Sequence, residues 1–202
     1  MNDRQTLMKF NSGSWRGCFV HLDHKGVEQK RFSTSLDVID SAGVIQASLT
    51  NLHTGRCQSM SFREIPVEMQ LTETGDWSLG PARVGPLPWV AELCVVIGQE
   101  RRRLIARHGA NTVESIVYVR ESRVAQGAIP TSEPLEVSIG SRGLHQIWRL
   151  DNDVELLVDP QPRGSRVGTV CGLRWHQPNV GIHQVVRRYS ADGTLLPIEP
   201  SW

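Results

Sequence analysis

The densest set of side chains able to do chemistry is basic: Arg101, Arg102, Arg103 and Arg107, followed by Arg120 and Arg123. Successive side chains of an extended chain point to opposite faces. Arg101, Arg103, Ile105 and Arg107 therefore share one face, and Arg102, Leu104, Ala106 and His108 the other. Three guanidinium groups on one face either meet water or line a polar cavity. In a cavity their planar forks would grip carboxylates two bonds at a time, as a di-acid such as an open-chain tetrapyrrole requires. Glu64, Glu68, Glu92 and Glu114 are the candidate partners. Glu92 stands apart because it interrupts the apolar stretch from Trp89 to Ile97, where a carboxylate needs an arginine or a ligand hydrogen bond to offset its lost hydration. A structural pair with arginine is the simpler of the two roles.

The six tryptophans outnumber the two tyrosines. Trp15, Trp77, Trp89, Trp148 and Trp175 fall on or beside expected strands, and Trp202 is terminal. Most suit a core, with Trp15 closing one end of it. Any that line a cavity would stack on a flat conjugated ligand, and Trp77 and Trp89 are the candidates. Cys18, Cys57, Cys94 and Cys171 are widely spaced and form no Cys-x-x-Cys pair, which reads as free thiols on strands. Cys57, beside a turn and next to Arg56, is the one thiol placed to react. The seven histidines make no metal-ligand spacing: His176 and His183 flank a Pro-containing turn, and His21 and His24 straddle a strand end. No Gly-x-Ser-x-Gly elbow and no phosphate-binding Gly-rich loop occurs.

The elements that would position these residues are short strands. Trp15, Gly17 and Phe19 share one face of a strand from Trp15 to Leu22. Asp23 to Gly26 then turns the chain into Lys30 to Ile39, which alternates Phe32, Thr34, Leu36 and Val38 against polar neighbours. Two strands are marginal alone, so this hairpin needs a larger sheet. A leading helix is expected over Asn2 to Lys9, capped by Asn2 or Asp3, with Leu7, Met8 and Phe10 inward. Gly80-Pro81, Gly85-Pro86 and Pro88 make the segment after Trp77 a loop across one end. About ten strands in an antiparallel meander, closed into one barrel over residues 1–202, is the expected all-β fold. Such a barrel either encloses a ligand or fills itself with side chains.

Composition limits the choices. Lys plus Arg (22) nearly balances Asp plus Glu (21), and a net charge of +1 argues against a general nucleic-acid binder. No apolar run approaches the roughly 20 residues of a membrane span. No secretory signal precedes Trp15, so a cytoplasmic protein is expected.

Ser14-Trp15-Arg16-Gly17, Phe32 to Val38, Leu49-Thr50-Asn51, Ser59-Met60-Ser61-Phe62, Glu64-Ile65-Pro66, Trp77-Ser78-Leu79-Gly80, Trp89-Val90-Ala91-Glu92-Leu93-Cys94, Arg101-Arg102-Arg103 and Arg107-His108-Gly109 together carry a resemblance. Over most of residues 10–190 the chain resembles an uncharacterised lipocalin-like (calycin) family of cyanobacteria and chloroplasts, similar in fold to the S-type phycobiliprotein lyases. The resemblance implies a barrel that holds a phycobilin (phycocyanobilin or phycoerythrobilin) and presents it to an apo-phycobiliprotein subunit. Arg101, Arg103 or Arg107 would then meet the bilin propionates and Glu92 the pyrrole nitrogens. No cofactor is required by this chemistry and no metal. Two other roles fit the same residues: a non-enzymatic carrier of a carotenoid, fatty acid or chlorophyll derivative, and a ligand-free assembly factor of the photosynthetic apparatus. Whether the protein is an enzyme, and in what oligomeric state it works, stays open.

Overall fold

The computed structural model describes residues 1–110, 112–123, 134–160 and 168–199. The sequence also predicts strands over Val113 to Val124 and Ser165 to Arg174, and of these Val124 and the residues before 168 lie outside the described residues, as does Trp202. Helix α1 (Asp3–Asn11) starts where its cap predicts: the Asn2 side chain accepts from the Gln5 N–H, and the Gln5 side chain accepts from the Asn2 N–H. Among the described residues the other named elements are all strands. Nine strands follow: β1 (Gly13–Asp23), β2 (Glu28–Ser41), β3 (Val44–Asn51), β4 (Cys57–Phe62), β5 (Gln70–Leu71), β6 (Trp77–Leu79), β7 (Trp89–Ile97), β8 (Glu100–His108) and β9 (Val113–Ser122). They form one antiparallel sheet in the order β4-β3-β2-β1-β9-β8-β7-β6-β5. Five more make a second sheet, a plain meander: β10 (Val137–Arg142), β11 (His145–Leu150), β12 (Val154–Val158), β13 (Thr169–Gln177) and β14 (Gly181–Tyr189).

The all-β class with one short helix is as the sequence indicates, but the strands do not share one closed ten-stranded wall. The larger sheet is strongly curled, a half-barrel. Its first hairpin turns on Asp23, whose Oδ1 accepts from the N–H groups of Lys25 and Val27, and on Gly26 at φ 79°. Among the described strands the second sheet joins no strand of the first, although Tyr189 of β14 bridges Leu195, because its apolar face has a better partner than a barrel seam. Trp148, Leu156, Leu173 and Trp175 stack against Val20, Leu93, Leu104 and Ala106 on the outside of the half-barrel, giving one continuous core between the two sheets.

Which face is the inside follows from a second core. Ile45 on β3 and Trp77 on β6 belong to one buried cluster with Trp15, Leu36, Val38, Cys94 and Val96, although five strands separate β3 from β6 in the sheet. Only a sheet curled back toward itself can bring them together. Helix α1 lies across this end of the curl. At its start Arg4 pairs with Asp40 at 2.6 Å and donates to the Arg63 carbonyl. At its end buried Asn11 donates to the Gly75 carbonyl and accepts from the Trp77 indole at 3.0 Å, while its own carbonyl accepts from the Trp15 indole. Leu7 fills the space beneath. Among the described residues no helix is long and apolar enough to cross a membrane.

Candidate functional site

Strand register maps the inner face of the half-barrel row by row. Beneath α1 lies Trp15 against Leu36 and Leu49. The next row runs Val96, Arg101, Glu121, Gly17, Thr34. Then come Cys94, Arg103, Val119, Phe19 and Phe32. Glu92, Ile105, Val117 and His21 form the fourth row, and Val90, Arg107 and Ser115 the fifth. Exposure rises along this series. Arg101 and Glu121 are 2% and 1% exposed and Arg103 is 8%. Glu92, Ile105, Val117 and His21 are half-buried, Arg107 is exposed and Val90 reaches 40%. The trough is solid beneath the helix and open at the other end.

A charged network forms the boundary between the two halves. The Glu121 carboxylate accepts from Arg101 Nε at 2.6 Å and from Arg103 Nε at 2.9 Å and Nη2 at 3.1 Å, and Arg103 Nη1 donates to Glu92 Oε1 at 2.7 Å. Burial alone would push the Glu121 carboxyl up, but the two guanidinium groups outweigh it and hold it below the usual carboxylate range. Arg103 is likewise held cationic: burial opposes its charge, and Glu121 with Glu92 more than restores it. The cations also stack on rings, Arg101 at 4.1 Å from the Trp15 ring centre and Arg103 at 5.4 Å from that of Phe19. Gly17 makes room for this. A Cβ there would stand 2.5 Å from Glu121 Cγ and 2.6 Å from the Arg120 carbonyl oxygen.

Above the network the lining is mostly apolar. Phe19 and Phe32 stack with centroids 5.5 Å apart, flanked by Val119, Val117, Ile105 and Val90. His21 packs on Phe32 at 5.5 Å, and burial, followed by the charge of Lys30, lowers its proton affinity below the ordinary imidazole value. Arg107 has no ion-pair partner among the described residues and sits on the same face at the rim.

The structure therefore gathers Arg101, Arg103 and Glu92 into one network and leaves Arg107 on the same face but free of it. It does not bring Trp77 or Trp89 to the open half. Trp77 is buried under α1. Trp89, three residues from Glu92, necessarily points to the opposite face, where it lies flat on His108 with ring centres 3.9 Å apart and meets Tyr189 edge-on. Glu121 and Gly17 are the members that sequence reasoning missed as a pair. Their signal was parity, since Glu121 shares a strand face with Val119 and Val117. Cys18, Cys94 and Cys171 are buried and their thiols are pushed up by that burial, which leaves Cys57 as the exposed one. Among the described residues no three His, Cys, Asp or Glu side chains stand close enough to hold a metal ion.

No protein-family model matches the chain, and no curated protein matches it. A solved structure does: a protein of unknown function from the DUF3598 family of Nostoc punctiforme superposes with a TM-score of 0.74 over 98% of this chain and 97% of its own, at 15% identity. At that identity the likeness is one of fold alone, extending over nearly the whole of both chains.

Proposed function

We propose that the open half of the trough binds an elongated lipophilic ligand with an acidic head, and that a phycobilin is the first such ligand to test. The supporting observation is the gradient along one face: a buried, ion-paired floor at Arg103 and Glu121, apolar walls of Phe19, Phe32, Val117 and Ile105, and at the rim Arg107, a cation with no ion-pair partner among the described residues. A ligand lying along the strands would bury its conjugated body against the phenylalanines and place a propionate at Arg107. Arg101 and Arg103 are already neutralised, so they set the floor and do not anchor the ligand. Glu92, half-exposed on Arg103, is the carboxylate within reach of pyrrole nitrogens. In this role the protein is a lipocalin-like chaperone of the S-type lyase kind, passing the pigment to an apo-phycobiliprotein subunit.

Mixing the purified protein with phycocyanobilin should red-shift and sharpen the visible band at a one-to-one ratio, and Arg107→Glu should weaken that response about tenfold. An unchanged pigment spectrum would remove the bilin. A carrier of another lipophile, such as a carotenoid, a fatty acid or a chlorophyll derivative, is the second reading. The aliphatic lining at Val90, Ile105 and Val117 favours it, and organic extraction of protein from its native host followed by mass spectrometry distinguishes the two.

A further inference from the structure

A second concavity lies apart from the open half of the trough, beside its closed end, where the end of α1, the 72–76 turn, the β7–β8 turn and β14 meet. It has a volume of about 390 Å³. Its apolar walls are Phe10, Val96, Ile97 and Val180, and its charged lining is Lys9, Arg123, His183 and Glu73. Each position has a local cause. Arg123 follows β9, donates from Nη2 to the Phe10 carbonyl at 2.5 Å and stacks at 4.6 Å from the Trp15 ring centre. His183 is held by Asp76, 3.2 Å away, whose other oxygen accepts from the Val96 N–H. Lys9 is exposed and hangs over the Phe10 ring at 4.8 Å.

The charges do not balance. His183 and Asp76 form a pair, and Glu73 offsets one of the two remaining cations. Arg123 has no carboxylate partner among the described residues, and its buried Nε finds no hydrogen-bond acceptor there. Burial weakens its hold on the proton, and so, to a smaller extent, does the charge of another cation, Arg101. A half-buried guanidinium that has no carboxylate partner among the described residues and an apolar hollow before it is stabilised by one incoming anion.

We infer that this hollow is a binding site for a small amphiphilic monoanion, a medium-chain carboxylate whose head meets Arg123 and Lys9 and whose tail lies on Phe10, Val96, Ile97 and Val180. It is separate from the trough, whose inner-face residues Phe19, Phe32, Ile105 and Arg107 take no part in it. The apolar walls select against inorganic anions, which gain nothing from them.

The test is a titration of the full ¹⁵N-labelled chain with sodium octanoate, with sodium phosphate at matched ionic strength as the control. Octanoate should shift Gly98, Val180, His183 and the Arg123 Nε–H along one saturating curve while Phe19 and Val119 stay in place. Arg123→Gln should weaken binding at least about tenfold and Lys9→Glu about threefold. Lys9→Glu changes an exposed side chain, so it carries the test even if Arg123→Gln disturbs the helix seat. Shifts that fall on Phe19, Phe32 and Ile105 instead would overturn the assignment, as would equal binding of phosphate or an affinity indifferent to Lys9→Glu.

Discussion

The two faces of the curled sheet are buried by different means. On the outer face, Leu93, Leu104, Ala106 and Val20 disappear beneath Trp148, Leu173 and Trp175 of the second sheet, in an interface of hydrocarbon with polar groups at its margin. Arg102 stacks at 4.2 Å from the Trp175 ring centre there, and Arg120 with Tyr118 is tied to Asp151. On the inner face, the same strands turn two arginines and a glutamate into the interior and then let exposure rise toward the rim. The outer face is closed by a partner sheet and is structural. Among the described residues the inner face has no second sheet over it and is closed at one end by α1 together with Ile65, Met69 and Leu71, so the chemistry at its other end is free to serve a ligand.

Removing the charge that holds the inner floor should have the largest effect. Glu121→Leu leaves Arg101 and Arg103 buried without an anion, and chemical denaturation should show a loss of about 4 kcal/mol. Converting Arg101 and Arg103 to Met in the same chain should restore most of it, because the lost ions would then no longer need a counter-charge. On the outer face Leu104→Ala should cost about 3 kcal/mol as a cavity, with no rescue available from a neighbour's charge. If Glu121→Leu were as mild as a surface change, the contrast between the faces would collapse.

Gly17→Ala comes next, at about 2 kcal/mol, since the added methyl meets a backbone oxygen as well as the flexible Glu121 side chain. A lower melting temperature with unchanged far-ultraviolet circular dichroism is the expected signature. The smallest effects are the histidines, and they carry opposite signs. His183 has its proton affinity raised by the hydrogen bond to Asp76, against the effect of burial. Its contribution is complete below the ordinary imidazole value of about 6.5 and is lost as pH climbs through its own higher value. His21, lowered by burial and Lys30, contributes fully above about 6.5 and loses that contribution as pH falls through its own lower value. Thermal melts across pH 5 to 8 should therefore flatten on the alkaline side in His183→Gln and on the acid side in His21→Gln.

Much of this contrast is legible from residue parity. Alternation alone places Arg101, Arg103 and Arg107 opposite Leu104 and Ala106, and the cap residues place α1. Parity also separates Trp89 from Glu92, so assigning both to one cavity overlooked a signal that was present. Partners are harder, because pairing depends on register. Arg101 stands opposite Glu121 only because the connection between β8 and β9 has the length it has, and nothing in the local sequence ranks Glu121 above Glu114. The division into two sheets is harder still. Residues 123–136 between β9 and β10 carry Gly, Pro and Ser as the chain's other connections do, and the choice between extending the first sheet and starting a second depends on contacts between residues more than a hundred positions apart, such as those joining Val20 to Leu173 in one core.

The hydrogen bonds at the two ends of α1 have a mechanical consequence. Arg4 holds the β2–β3 side of the curl and Asn11 the β6 side, so the nine-residue helix acts as a strut whose length, about 14 Å at 1.5 Å per residue, sets how far apart the two wings stand. The mouth of the trough inherits its width from that strut, because the strands spanned by the helix at one end run on to form the mouth at the other. Lengthening or unlatching the helix at Arg4 would change the bore of a site it never touches.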